Sequence, residues 1–447
     1  MLRGVLQRSV LLNLLGQIAT ILIGFVPSIL VARWLGPTDR GLLAVIGTAG
    51  GIAFVLGCVG LPAAVLYFGS DKSPPTGALL GNSLLYAAVL TAVFVIPTWM
   101  FRSQIADLLS HGRGETVWVL NALTIPVTFL DWTTHNQLLG RLRFGYYNSL
   151  IIGSKIVFLV GVVLMLQVVD LGVAGVVIAT LLGSLLVIGG SLRVILPEAR
   201  PSLDRALFRR MFEYGRKSQF GSMFQYFNSR FDVIILQFFV PLAAIGSYVV
   251  AQILAELVMV LTRSFQPTVT SLVTRDSDDP ATQAHTTATS IRHHGLLCFV
   301  ALLLNAVFSP LLIVFAYGPP FHSAILPFFI ILPGIWFLAT GLLIANDLNG
   351  RNAPGLASRL SGVGVSVTIV LDFALIPFFG VTGAAFASLI AYTAFGALSL
   401  VVESRVAEIP IRRLLPTIDD VRMYPIAVRR ILGRLGTRPT PGIPYGG

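Results

Sequence analysis

Long apolar runs alternate along the chain with short clusters of glycine, proline and charge. Crossing a hydrocarbon core of roughly 30 Å takes about 20 apolar residues in helical form. Twelve runs reach that length, at roughly 9–32, 41–68, 78–101, 116–139, 149–168, 171–195, 218–240, 243–266, 294–317, 322–346, 357–377 and 380–402. The first run begins at Val10 and outlasts the ~7–15-residue core of a signal peptide, so it reads as a retained helix. The pattern predicts an all-α polytopic membrane protein with about 12 transmembrane helices.

Two short stretches repeat in the same setting: NQLLGR at 136–141 and NDLNGR at 346–351, each closing an apolar run. Their glycines suit the left-handed turn that ends a helix, and their arginines sit where the helix dipole favours positive charge. LGVAGVVIAT at 171–180 returns as FGVTGAAFAS at 379–388, and an offset of 205 lays Gly16 on Gly221, Ile29 on Ile234 and Gly41 on Gly246. Echoes at nearly one offset imply a duplication into two six-helix halves around a central cleft. Both copies begin on the same side, so the repeat axis runs along the membrane normal. The expected organisation is an N-terminal six-helix lobe at 1–195, a basic linker at 196–217, a C-terminal six-helix lobe at 218–402, and a basic, Pro-rich, disordered tail at 403–447.

Composition agrees with the pattern: 55% of the 447 residues are hydrophobic and 11% charged, against about 25% charged in ordinary soluble domains. The net charge of +11 does not indicate nucleic acid, because it is confined to loops and tail. With a cytoplasmic N-terminus, 25 Lys and Arg residues fall on the cytoplasmic side and 4 on the other, which places both termini in the cytoplasm. Asp204–Tyr214 in the linker reads as a short interfacial helix, with Phe208, Met211 and Phe212 toward lipid and Arg205, Arg209 and Arg210 toward headgroups. Cys58 and Cys298 lie in apolar runs and read as packing residues, and no residue pattern calls for a metal or cofactor. Walker A, dinucleotide-binding, HExxH and nucleophile-elbow patterns are all missing, so the chain reads as a non-enzyme.

Polar residues inside spans are costly and face the bundle interior or a wet cavity. In the first span Asn13, Gln17, Thr20, Gly24 and Ser28 form one helical stripe; in the seventh, Ser218, Ser222, Gln225, Ser229 and Asp232 form another, and the offset of 205 lays positions 13, 17, 20, 24 and 27 on them. These faces are expected to line the cleft. Arg230 lies about 18 Å into its span, near the midplane, and cannot easily snorkel out. Arg230 and Asp232 stand about 200° apart around the helix, so each needs its own partner, and Glu256 is the candidate for Arg230. Lys155, about 9 Å inside the fifth span, is a further candidate for an anion, although it can also snorkel to the interface. Asp131 and His135, one turn apart, are read as a possible proton-linked pair. Asp372 is expected at an interface, and His285, His293 and His294 in solvent.

RWLGPTDRGLLAV after the first span, SRFDVIILQFF with AIGSYVVAQ across the seventh and eighth, and DFALIPFFGVTGAAFAS across the last two resemble the oligosaccharide (polysaccharide-biosynthesis type) flippases. That family belongs to the multidrug/oligosaccharidyl-lipid/polysaccharide exporter superfamily, and the resemblance runs to about residue 405. The second-to-third loop, YFGSDKSPPTG, lacks the Arg-rich signature of the other common two-by-six transporter design.

The resemblance implies a flippase that moves a polyprenyl-pyrophosphate-linked oligosaccharide from the cytoplasmic to the outer leaflet of a bacterial plasma membrane by alternating access. Its partners would be the bilayer, the lipid-linked glycan and glycan-assembly enzymes such as a polymerase or glycosyltransferases. Arg230 and Lys155 are then expected at the diphosphate, and Asn13, Gln17, Gln225 and Asn228 at the sugars, with Asp232 beside them. Two other readings remain open on the residues: an ion-coupled multidrug exporter dependent on Asp232 or Glu256, and a non-transporting scaffold for glycan assembly.

Overall fold

A computed structural model describes residues 2–71, 75–275, 279–351, 353–417 and 420, with side chains from Gly24 onward except at 220–222, 224–225, 267–268, 271–272, 274–275, 280 and 354. The described secondary structure is helical: α1 Leu2–Cys58, α2 Leu61–Gly69, α3 Thr76–Leu90, α4 Ile96–Met100, α5 Arg102–Ser110, α6 Glu115–Gly140, α7 Phe144–Gln167, α8 Gly172–Ile195, α9 Arg205–Leu236, α10 Leu242–Ala255, α11 Met259–Arg275, α12 Pro280–Leu312, α13 Ile325–Gly350 and α14 Pro354–Val406. Eight helical stretches among the described residues are long and apolar enough to cross a membrane. Two of them, Gly24–Cys58 and Gly355–Val406, are bent at Gly36 and Gly380, whose backbone angles are non-helical with positive φ.

Local chemistry sets most of the other breaks. Gly60 takes a left-handed conformation, and Pro62 follows within the first turn of α2, so the second apolar run divides there. A π-turn over Thr91–Val95 joins α3 to α4 just before Pro97, and another over Ile313–Tyr317 follows Pro310. Asp279 caps α12: it accepts from the Thr282 hydroxyl and from the amides of Thr282 and Ala281, and these bonds hold its carboxyl below the usual range.

The linker departs from expectation. Asp204 accepts from the Leu207 amide at 2.9 Å and starts α9, which continues without a break through the seventh apolar run. Leu207 and Met211 are buried in a cluster with Leu61, Val65, Leu79 and Phe129, and Phe208 packs against it, so these residues meet the N-terminal helices and not lipid, while Phe212 is exposed. Backbone contact is close there: a Cβ on Gly81 would fall 2.1 Å from the Ser202 carbonyl oxygen. Asn82 Nδ2 donates to the Asp204 carbonyl at 2.9 Å. The tail also differs from a fully disordered segment, since residues 403–406 complete α14 and Ile409 and Leu414 are buried against the helices.

Candidate functional site

A cavity of about 520 Å³ opens between residues from the two parts of the chain. One wall is Phe54, Val55, Cys58 and Trp132; the other is Tyr226, Asn228, Ser229, Arg230, Glu256 and Arg263. Phe54 and Trp132 meet edge to face with ring centroids 5.5 Å apart, so the first wall is apolar and carries one aromatic pair. The second is polar and carries two guanidiniums against one carboxylate, an excess of one positive charge among the lining residues.

Arg230 projects from α9 with its side chain 27% exposed. Its Nη2 donates to Glu256 Oε2 at 3.0 Å, and its Nη1 to Gln252 Oε1 at 2.8 Å. Glu256 opens a 3₁₀ turn between α10 and α11. Gln252 then turns its amide nitrogen to Asp232 Oδ2 at 3.0 Å, so Arg230 and Asp232 are joined through one glutamine despite pointing to different sides of α9. The other donors to Asp232 are the Tyr248 hydroxyl and the Val233 amide. A partly exposed cation is thus held by a buried polar chain, which fixes its position relative to the cavity.

The expected site residues divide. Arg230 and Asn228 line the cavity together, and Asn228 Oδ1 accepts from Thr368 Oγ1 at 2.9 Å. Asp232, expected among the substrate contacts, is 3% exposed, does not line this cavity and is hydrogen-bonded to Gln252. Lys155 is exposed on α7 and is not a lining residue. Asp131 and His135 pair at 3.2 Å with the Tyr147 ring against the imidazole, and neither lines the cavity. The side chains of Asn13, Gln17 and Gln225 lie outside the described residues. Asp372 is fully buried and not interfacial, and both of its oxygens lack a hydrogen-bond partner among the described residues. His294 is also buried, against Thr262 at 3.1 Å, and not solvated.

Sequence reasoning missed Gln252, Tyr248, Tyr226 and Arg263. A signal existed for two of them, because Tyr248, Gln252 and Glu256 follow at helical spacing on one face. Tyr226 had none: its hydroxyl reaches the Thr48 carbonyl at 3.5 Å across the cleft, where Gly51 leaves room for it.

A profile of the family described as polysaccharide biosynthesis protein matches residues 30–326. The probable low-salt glycan biosynthesis flippase Agl15 of Haloferax volcanii is 25% identical over 364 residues, covering 81% of this chain and 75% of that protein. The probable flippase AglR of the same organism is 29% identical over 171 residues, which cover 36% of this chain and 35% of its own length. In three dimensions the chain is similar to the lipid II flippase MurJ in an inward closed conformation, with TM-score 0.74, 15% identity, and 95% of this chain and 93% of that one covered. It is also similar to an inward-facing multidrug resistance MATE family transporter of the MOP superfamily, with TM-score 0.73, 12% identity, and 86% and 94% covered. The fold is therefore of the MATE and MurJ kind.

Proposed function

Because this chain belongs to the polysaccharide biosynthesis protein family, we propose that it is a non-enzymatic membrane flippase that moves a lipid-linked oligosaccharide between leaflets. The finer reading is a polyprenyl-pyrophosphate carrier, transport from the cytoplasmic to the outer leaflet, two six-helix halves that rock about the linker, and cytoplasmic termini. The observation that carries it is the cavity: an apolar wall whose Phe54–Trp132 pair suits stacking on a sugar face opposes a polar stretch with excess positive charge. Its volume lies within the ~300–1,000 Å³ typical of small-molecule sites, enough for a diphosphate and the first sugars but not for a lipid tail. The tail can stay in the bilayer.

In this reading Arg230 and Arg263 meet the diphosphate, Asn228 and Ser229 offer hydrogen bonds to sugar, and Lys155 is set aside. The charge balance disfavours a cationic drug as cargo. The test is reconstitution in liposomes with a fluorescent lipid-linked oligosaccharide and a membrane-impermeant quencher. Native protein should equilibrate the lipid between leaflets, and Arg230→Ala at equal protein level should lose most of that rate. Full activity of Arg230→Ala would remove Arg230 from the site, and no activity of the native protein on any such lipid would remove the reading itself.

A further inference from the structure

Three helix ends meet around Arg351, the last residue of the second hexapeptide. Its Nε donates to Asp347 Oδ2 at 2.6 Å, one turn back on α13. Its Nη1 and Nη2 donate to Gln283 Oε1 at 2.8 Å and Thr287 Oγ1 at 2.7 Å, both on α12, and Thr287 in turn donates to Asp347 Oδ1 at 2.7 Å. Asp347 and Arg351 are therefore hydrogen-bonded to each other and to α12. Glu403, from the last turn of α14, is the third charged group. Its Oε1 lies 3.4 Å from Arg351 Nε, an ion-pair distance, but the single Nε hydrogen is directed at Asp347. Both Glu403 oxygens are buried without a hydrogen-bond donor among the described residues, and its side chain is 0% exposed.

The first half of the repeat holds a counterpart that differs in charge. Arg141, last residue of the first hexapeptide, pairs with Glu198, which follows α8 as Glu403 ends α14. There the carboxylate is 40% exposed and shared with Arg143 at 2.6 Å. The position one turn before Arg141 is the neutral Gln137, where the second half has Asp347. The second half thus has one acid more and one cation fewer, and both of its carboxylates are 0% exposed, beside a guanidinium that is 9% exposed.

Two buried carboxylates against one guanidinium leave a negative charge uncompensated, which is costly. Among the described residues, the charged groups that act on Glu403 are Asp347 and Arg351, both from α13; α12 contributes the neutral Gln283 and Thr287. Asp347 Oδ2 and Glu403 Oε1 both approach Arg351 Nε, at 2.6 and 3.4 Å, so the two carboxylates are neighbours around one nitrogen. A proton on Glu403 removes the excess charge and converts an acceptor without a donor into a donor that faces Asp347. We propose that Asp347 and Glu403 form a proton-binding site, with the proton carried on Glu403 and its hydrogen bond given to Asp347. Loss of that proton sets two carboxylates against each other where α13 and α14 meet beside α12, so the closure of this junction depends on pH. The site is independent of the cargo.

The test is infrared spectroscopy of the full chain in lipid nanodiscs. At pH 7 the native protein should show a protonated-carboxyl stretch, sensitive to deuteration, that is lost in Glu403→Gln. It should also be lost in Asp347→Asn, where Arg351 balances Glu403 one to one and the proton is released. A native band left unchanged by either substitution overturns the proposal. So does a native melting temperature that rises with sodium at fixed pH through Glu403, which would assign the missing charge to a metal cation. Gln mimics a protonated Glu, so a Glu403→Gln chain that does not fold while Glu403→Asp folds counts against the proposal as well.

Discussion

Gly41 and Gly246 face each other where α1 meets α10: a Cβ built on Gly41 falls 1.8 Å from the Leu242 carbonyl oxygen, and one on Gly246 falls 2.0 Å from that of Pro37. The two glycines are also 205 residues apart, the offset at which the sequence echoes were read. Backbones at this separation exclude any side chain, as in the small-residue crossings of membrane helices. The colliding atoms are backbone, so neither helix can yield by a rotamer change.

If α1 and α10 belong to opposite lobes, this contact closes one end of the cleft. Gly41→Ala should then force the helices apart at a cost of about 1–3 kcal/mol, typical of overpacking. Spin labels at the exposed Trp34 and Phe239 should report longer distances in Gly41→Ala than in the native sequence by pulsed dipolar measurement in lipid. An unchanged distance distribution means that the crossing does not hold the cleft shut.

Gln252 should couple Arg230 to Asp232. Gln252→Leu removes its hydrogen bonds to both at once and leaves a buried carboxylate with one donor fewer. The expected loss is about 1–3 kcal/mol of thermal stability in detergent. Combined with Arg230→Ala, the effects should fall short of additive by more than about 0.5 kcal/mol. Additive losses would make the two residues independent supports.

Arg263 reaches the cavity without the Gln252 network, so it separates charge from architecture. Under the flippase reading, Arg263→Gln should leave the melting temperature in place and raise the half-saturating concentration of lipid-linked glycan roughly tenfold, the worth of one charged hydrogen bond. A change in stability with unaltered half-saturation would assign Arg263 to the wall alone.

Residue patterning made some of this legible and left some hidden, for physical reasons. Glycine, proline and apolar length were enough to mark where helices run, because a bilayer demands both length and internal hydrogen bonding. The depth of Arg230 exposed its need for a partner, and Glu256 stood at matching depth one helix on. What stayed hidden was facing. Lys155 and Arg230 both sit inside apolar runs, yet one is on an exposed face and the other lines a cavity, and no local pattern tells the two apart. Asp372 was misjudged in the same way: it lies near the end of an apolar run, where position along the helix suggests an interface, while its rotational setting buries it. The linker hid its docking because Leu207, Phe208 and Met211 form an apolar stripe that suits lipid and protein alike.

The segment after α14 provides a test of docking by two adjacent leucines. The chain turns at Glu408, Ile409 packs inward, and a 3₁₀ turn over Ile411–Arg413 delivers Leu414 to a site where it is 1% exposed, while Leu415 is 37% exposed. Pro416 then lies against Gly295 of α12, whose carbonyl accepts from Trp336 Nε1 at 2.9 Å, and Asp420 comes within 3.5 Å of Arg292. Leu414→Ala should lose about 2–4 kcal/mol, as a buried aliphatic does, and Leu415→Ala less than about 0.5 kcal/mol. Thermal unfolding of the two variants in the same detergent measures the difference. Equal losses would mean that this stretch does not pack on the helices, because only a fixed docking distinguishes neighbours of identical chemistry.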